Sequence, residues 1–224
     1  PTGIYKKPSD IFNEQVQKSI DAVNFIKKHS KSNFDNTIVM DIGGGAGGFL
    51  KSFENAKERI LLDYFEPYLD YARTLGITAI KGGLKEASDM QKPDLVILSH
   101  VIEHWNDFDN EIKQLISIQK KNHTLNYIEF PGIDSLKDGR RNYDFLGDIQ
   151  IAHKWYFASY VFENIMGRYG FKKIHIDSYI RGLFIYTGES ESLLNFYKNI
   201  KEDLLSAEKK RKFYFFKKIV KFLL

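Results

Sequence analysis

At 224 residues the chain is long enough for one domain with a sizeable core, and its 43% hydrophobic and 28% charged content is ordinary for a globular protein. It has no cysteine, which excludes a disulfide framework, a thiolate nucleophile and a cysteine-ligated zinc. The net charge of +4 is concentrated: residues 209–224 hold seven Lys and Arg and no acid, leaving 26 basic against 29 acidic side chains elsewhere, so the body offers no nucleic-acid-binding face.

Residues 1–10 carry no apolar run of the kind found in secretory signals, and no uninterrupted apolar run approaches the roughly 20 residues that span a bilayer, so a cytoplasmic location is expected. Phe12, Val16, Ile20, Val23 and Ile26 recur at helical spacing and predict an amphipathic helix over 9–29, with Ser9 as its N-cap. Thr37–Asp41 is a short buried strand, followed by a glycine-rich turn and a helix near Phe49–Asn55. Arg59–Asp63 is the second strand, Pro67–Leu75 the next helix, Thr78–Lys81 a third strand and Asp94–Ser99 a fourth. A helix over Asp107–Lys120 leads to a fifth strand, Leu125–Phe130, stopped by Pro131-Gly132.

Alternating strands and helices predict an α/β fold with a mostly parallel sheet covered on both faces. The rhythm lapses over 133–157, which is polar and aromatic without a clear period and is expected to form a lid. Ala158–Arg168 returns to helix. Lys172–Tyr179 and Gly182–Thr187 are strands joined by a turn too short for a crossover, so they must pair antiparallel. The expected organisation is an N-terminal helical segment (1–34), a core over 35–190 with the lid-like insertion, and C-terminal helices over 191–224.

The strongest chemical signal is the run from Val39 to Gly48 (VMDIGGGAGG). A glycine-rich turn between strand and helix lets the backbone approach a ligand closely. The match of Gly43, Gly45 and Gly48 to G-x-G-x-x-G alone also suits a dinucleotide. Asp41 separates the two ligands. An anion at the strand end repels a pyrophosphate but suits the cationic side of S-adenosylmethionine. Asp63 ends the second strand, where a carboxylate can accept from both ribose hydroxyls.

On these residues the sequence resembles the class I S-adenosylmethionine-dependent methyltransferases over most of 35–190. Asp41, Gly43, Gly45 and Gly47 match the family's D-x-G-x-G-x-G motif, and residues 61–73 resemble its second-strand segment. Residues 93–105 (PDLVILSHVIEHW) and 153–171 resemble the ubiquinone-biosynthesis-like O-methyltransferase subgroup. The resemblance implies a Rossmann-like seven-stranded sheet with an antiparallel last strand. It implies cofactor contacts from Asp41, Gly43, Gly45, Gly47, Asp63, Tyr64, Leu84 and Ser99. Family members often carry an adenine-binding acid after the third strand; this chain has Gly82-Gly83-Leu84 there, which moves adenine recognition to backbone near Leu84.

Ligands of such sheets sit at the carboxyl ends of strands, so the acceptor is expected near Ser99-His-Val-Ile-Glu-His104. His104 is a candidate general base, with Glu103 to orient it and His153 as the other base candidate. The resembling quinol enzymes read E-x-x-E-H here and are associated with a divalent cation, so His100, Glu103 and His104 are candidate metal ligands; two histidines in place of oxygens shift the preference toward a transition metal. The bland alternative is that Glu103 caps the next helix and the histidines only pack. His100-x-x-Glu103-His104 also fits the inverted zincin pattern, but a strand-to-helix turn without a third ligand argues against a protease. Lys137, Arg140 and Arg141 could receive a phosphate-bearing acceptor. His29, His123 and His175 are assigned no function.

From Phe213 onward apolar and lysine side chains separate onto two arcs of a helix, which fits a peripheral membrane anchor through residues 209–224 or a helix docked on protein. The leading reading is an O-methyltransferase of a small molecule, such as a surface-polysaccharide sugar or its phosphate-bearing precursor. A membrane-surface quinol O-methyltransferase, a nicotinamide-dependent oxidoreductase and a non-catalytic cofactor-binding adaptor are the alternatives.

Overall fold

The computed structural model describes residues 6–223, with side chains through residue 216. Seven strands form one sheet: β1 (Ile38–Ile42), β2 (Glu58–Asp63), β3 (Thr78–Lys81), β4 (Leu95–Ser99), β5 (Leu125–Glu129), β6 (Phe171–Ile176) and β7 (Arg181–Tyr186). Their spatial order is β3-β2-β1-β4-β5-β7-β6. Strands β1 to β5 pair in parallel, while β7 runs antiparallel to both β5 and β6. The order reverses between β1 and β4. Their carboxyl ends therefore open a crevice there, where open α/β sheets bind ligands.

Among the described residues there are six α-helices, α1 (Pro8–Ser30), α2 (Glu66–Thr74), α3 (Leu84–Ala87), α4 (Phe108–Ser117), α5 (Ser159–Arg168) and α6 (Tyr197–Leu223), of which all but α6 accompany the sheet. The two-residue period of the strands sorts the core into two layers. Met40, Leu62, Val96 and Ile128 face Ile112 and Leu115 of α4 and Phe162 and Met166 of α5. Val39, Leu61 and Ile97 face Val23 and Ile26 of α1 and Leu69 and Ala72 of α2. Each such aliphatic contributes about 1.5–3 kcal/mol on full burial, so the strands need covering on both sides.

One local expectation is corrected and another made specific. Helix α1 begins at Pro8 with Lys7 at the N-cap position and no side-chain cap, not at Ser9. A proline in the first turn loses no helical hydrogen bond and has its φ preset. The helix expected near Phe49–Asn55 is a 3-10 helix, Gly48–Phe53. It starts from Gly47 in the left-handed region and closes with a bond from Leu50 N–H to Gly47 O (3.1 Å), the spacing short segments favour.

Residues 133–157 contain three short 3-10 turns, Ile133–Asp138, Arg140–Tyr143 and Leu146–Asp148. The first half of α6 packs on this segment, with Ala207 buried and Leu204 beside Ile133 and Leu136. Asp203 accepts from Lys137 Nζ and Tyr160 OH, each at 3.0 Å, and Lys210 Nζ donates to the Lys137 carbonyl. Among the described residues no helix is long and apolar enough to cross a membrane.

Candidate functional site

The turn after β1 lies over a buried acid. Gly43, Gly45 and Gly47 adopt φ of 71°, 58° and 82°, which disfavour any side chain. Gly44 and Gly48 answer a different need, for space. A Cβ on Gly44 would lie 2.3 Å from Asp41 Oδ2, and one on Gly48 would lie 2.3 Å from the Phe12 carbonyl. Asp41 is 2% exposed. Burial, and then the neighbouring Asp63, push its carboxyl up to about 7. A buried acid with so little solvation favours a cation that would restore its charge. Asp63 is already engaged: one oxygen accepts Gly45 N–H at 2.8 Å and the other Phe65 N–H at 2.9 Å.

The turn has a second support, which sequence reasoning missed. Gln15 of α1 donates to the Gly44 carbonyl (3.0 Å) and accepts the amides of Ala46 (3.1 Å) and Gly48 (3.2 Å). One amide side chain thus satisfies three backbone groups that no strand or helix partners. Gln15 is a polar residue on a helix whose apolar spacing alone was legible, so nothing local marked it.

Two cavities meet at the crevice. The smaller, about 340 Å³, is lined by Asp41, Gly43, Gly44 and Ser99, with Gln15 and Lys18 from α1, His100 from the turn after β4 and Glu129 from the end of β5. The larger, about 600 Å³, is lined by Gly43, Tyr64, Leu84, His100 and His104, together with Glu86 and Glu111. Of the expected cofactor residues, Asp41, Gly43, Tyr64, Leu84 and Ser99 therefore face one cavity or the other. Gly45, Gly47 and Asp63 line neither and shape the turn instead. Glu86 accepts the Gly83 amide at 2.8 Å. It and Glu111 are acids beside Leu84 that the missing post-β3 acid gave no reason to look for.

The turn after β4 places Glu103 at 1% exposure. Its Oε1 lies 3.1 Å from His100 Nδ1, and its Oε2 is buried without a hydrogen-bond partner among the described residues. His104 Nδ1 lies 2.9 Å from the Ala152 carbonyl. Glu103 therefore orients His100, where His104 had been expected. It does not cap α4 either: Asp107 does, accepting the Asn110 amide. His153 comes from the 133–157 segment to within a 4.9 Å ring separation of His104. The Glu103 carbonyl anchors that segment by accepting the amides of Lys154 and Trp155. Burial holds the His153 imidazole below its ordinary value, and the bond to Glu103 raises that of His100.

A divalent cation on His100, Glu103 and His104 finds a changed donor set. His100 Nδ1 is occupied by Glu103; the side chains that bring one donor atom each within 4.8 Å of one another are Glu103, His104 and His153. Two imidazoles and one carboxylate oxygen do not fit the oxygen-rich cation of the quinol enzymes.

The basic side chains expected to receive a phosphate are spent internally. Arg140 donates to Ser135, Asp148 and the Gly132 carbonyl, Arg141 lies 3.6 Å from Asp148, and Lys137 pairs with Asp203. His29 and His175 stack at 3.9 Å, and His123 bonds Asp94 at the far end of the sheet.

A family model described as a methyltransferase domain matches residues 12–176. Among solved structures, the chain is similar to magnesium protoporphyrin IX methyltransferase from Synechocystis PCC 6803 with bound SAH, at 15% identity over 82% of this chain and 87% of that one, with a TM-score of 0.55. It is also similar to the plantazolicin methyltransferase BamL, solved with a triazolic desmethylPZN analog and SAH, at 18% identity over 92% of this chain and 82% of that one, with a TM-score of 0.54. At these identities the likeness is one of fold. No curated protein matches the chain.

Proposed function

The chain belongs to the methyltransferase domain family and is an S-adenosylmethionine-dependent methyltransferase, and we propose that it methylates a hydroxyl oxygen of a small, uncharged molecule, a sugar or a quinol. The observation that carries this reading is Asp41, buried under a turn of bare backbone at the point where the strand order reverses. Bound there, the cofactor supplies an electrophilic methyl on a cationic sulfur. Asp41 and the turn hold its charged end. Tyr64 and Leu84 border the larger cavity, on the nucleoside side.

Oxygen as the methylated atom is supported by His100 and His104, which line this cleft, and by Glu103 and His153, which lie against them. A hydroxyl needs a proton acceptor as it attacks, and His100, Glu103, His104 and His153 supply one within a few residues of the crevice. A phosphate-bearing acceptor loses its support, because Arg140 and Lys137 already have anionic partners. A pyridine dinucleotide would bring its pyrophosphate against Asp41. A non-catalytic adaptor has no use for a buried carboxylate tied to a histidine in the cleft. Calorimetry tests the reading: S-adenosylhomocysteine is expected to saturate the protein while NADH gives no heat. Saturation by NADH alone would overturn it. Transfer of a labelled methyl to a panel of sugars and quinols then identifies the acceptor.

We further propose that α6 beyond Lys209 contacts an anionic membrane surface. Phe215 and Phe216 are exposed beside Lys209, Lys210 and Lys212. The apolar and lysine arcs continue through 217–224, whose side chains lie outside the described residues. Sedimentation with phosphatidylglycerol vesicles is expected to carry the protein down at low salt and to release it near 0.5 M salt, about where the screening length falls below 5 Å. Absence of the protein from the low-salt pellet would leave the docked-helix reading.

A further inference from the structure

We propose that His100, oriented by Glu103, is the catalytic residue that takes the acceptor's proton; this rests on the methyltransferase reading above. Gly43 and His100 are the residues that line both cavities. The cofactor's sulfur lies between its nucleoside and amino-acid ends, so a ligand that fills both cavities has its sulfur beside the residues they share. Of those two, His100 alone has a titratable side chain. His104 lines only the larger cavity and His153 lines neither.

The backbone at His100 is unusual as well. Its φ of 57° is left-handed, which is strained for a non-glycine residue and persists where surrounding contacts hold it. Two contacts hold it. The His100 amide donates to the Glu129 carbonyl at 2.7 Å, and the ring bonds Glu103 Oε1 at 3.1 Å. A carboxylate can only accept, so Nδ1 carries the hydrogen and the Nε2 lone pair is free. Glu103 is 1% exposed, whereas the His100 side chain keeps half its surface in the cleft. The carboxylate is the fixed support and the imidazole the working end, the arrangement by which a base is held in one tautomer. Besides Glu103, the charged groups that face His100 are Glu129 of β5 and Lys18 of α1, and His153 of the 133–157 segment is a further titratable neighbour. The bond to Glu103 strengthens the His100 imidazole as a proton acceptor.

The step balances simply. An oxygen lone pair of the acceptor forms the O–C bond while the C–S bond breaks and leaves its electron pair on sulfur, now a neutral thioether. The hydroxyl proton passes to His100 Nε2, and the charge gained there is shared with Glu103.

The test needs no acceptor. Nitrogen-15 NMR of the imidazoles is recorded across pH for the full chain with S-adenosylhomocysteine and with S-adenosylmethionine. A sulfonium close to His100 is expected to lower its pKa by about one pH unit relative to the thioether complex, more than at His104 or His153. His100 is expected as the Nδ1–H tautomer, and Glu103→Gln is expected to lower its pKa further. A larger cofactor-dependent change at His104 or His153, or an unmoved His100 in the Glu103→Gln variant, overturns the assignment. Failure of both nucleosides to bind the wild-type protein overturns the methyltransferase reading itself, and calorimetry separates that outcome from the first.

Discussion

Replacing Asp41 by Asn is expected to lower affinity for S-adenosylmethionine and S-adenosylhomocysteine about 100-fold, roughly 2–3 kcal/mol, while leaving the ligand-free protein at least as stable as wild type at pH 8. The two effects have one origin. Burial and Asp63 raise the Asp41 carboxyl from 3.8 to about 7. The folded state therefore holds this proton more tightly than the unfolded chain does. Below pH 3.8 the acid is neutral in both states and costs nothing. Between 3.8 and about 7 the folded protein loses stability as pH rises, by at most about 4 kcal/mol. Above 7 the loss is constant. A bound ammonium or sulfonium returns the missing counter-charge, so wild-type affinity should climb as pH rises through the upper part of this window and level off above 7. Asn is uncharged at every pH and should flatten both trends. Calorimetry and thermal melts from pH 5.5 to 8.5 check this. A pH-independent affinity in the wild type would show that the charge of Asp41 plays no part in binding.

Gly48→Ala should damage the protein from the other side of the same turn. The new Cβ would stand 2.3 Å from the Phe12 carbonyl and 2.9 Å from the Val16 nitrogen, both backbone atoms of α1 that cannot swing away. Helix α1 must shift, which costs about 1–3 kcal/mol and lowers the melting temperature by several degrees. Its shift withdraws Gln15 from Gly44, Ala46 and Gly48, so S-adenosylhomocysteine binding weakens as well. Gln15→Ala should reproduce the binding loss with a smaller change in melting temperature, because the backbone contact is spared. Gly76 provides the contrast: its φ is positive, unlike that of Gly48, but a Cβ there meets nothing closer than 3.9 Å. An unaltered melting temperature in Gly48→Ala would mean that α1 is not held where the close approach places it.

Much of this was legible in the sequence, for physical reasons. Strands such as Leu95–Ser99 announce themselves by unbroken apolar runs, and the closing hairpin by a connection too short to cross over. Asp41 and the glycines were legible because they lie within a few residues of one another, where backbone geometry fixes their relation. What escaped were relations across distance. Gln15 reaches a turn some 30 residues away, and no period marks it. His153 arrives beside His104 on a segment without repeating structure. Glu103 was paired with the adjacent histidine on proximity in sequence, but left-handed backbone at His100 turns the nearer ring nitrogen onto the carboxylate instead. Arg140 and Lys137 read as groups open to a phosphate because their anionic partners, Asp148 eight residues on and Asp203 on α6, follow no period that would mark them.

The cleft hangs from two separate helices. Gln15 ties the glycine turn to α1, and Lys137, Tyr160 and Lys210 tie the 133–168 stretch, which brings His153 against His104, to α6. Neither helix belongs to the strand–helix alternation that builds the sheet. Substitutions along α6 are therefore expected to shift the 133–157 segment while leaving the glycine turn in place, a separation of supports by which one flank could be retuned through surface change alone.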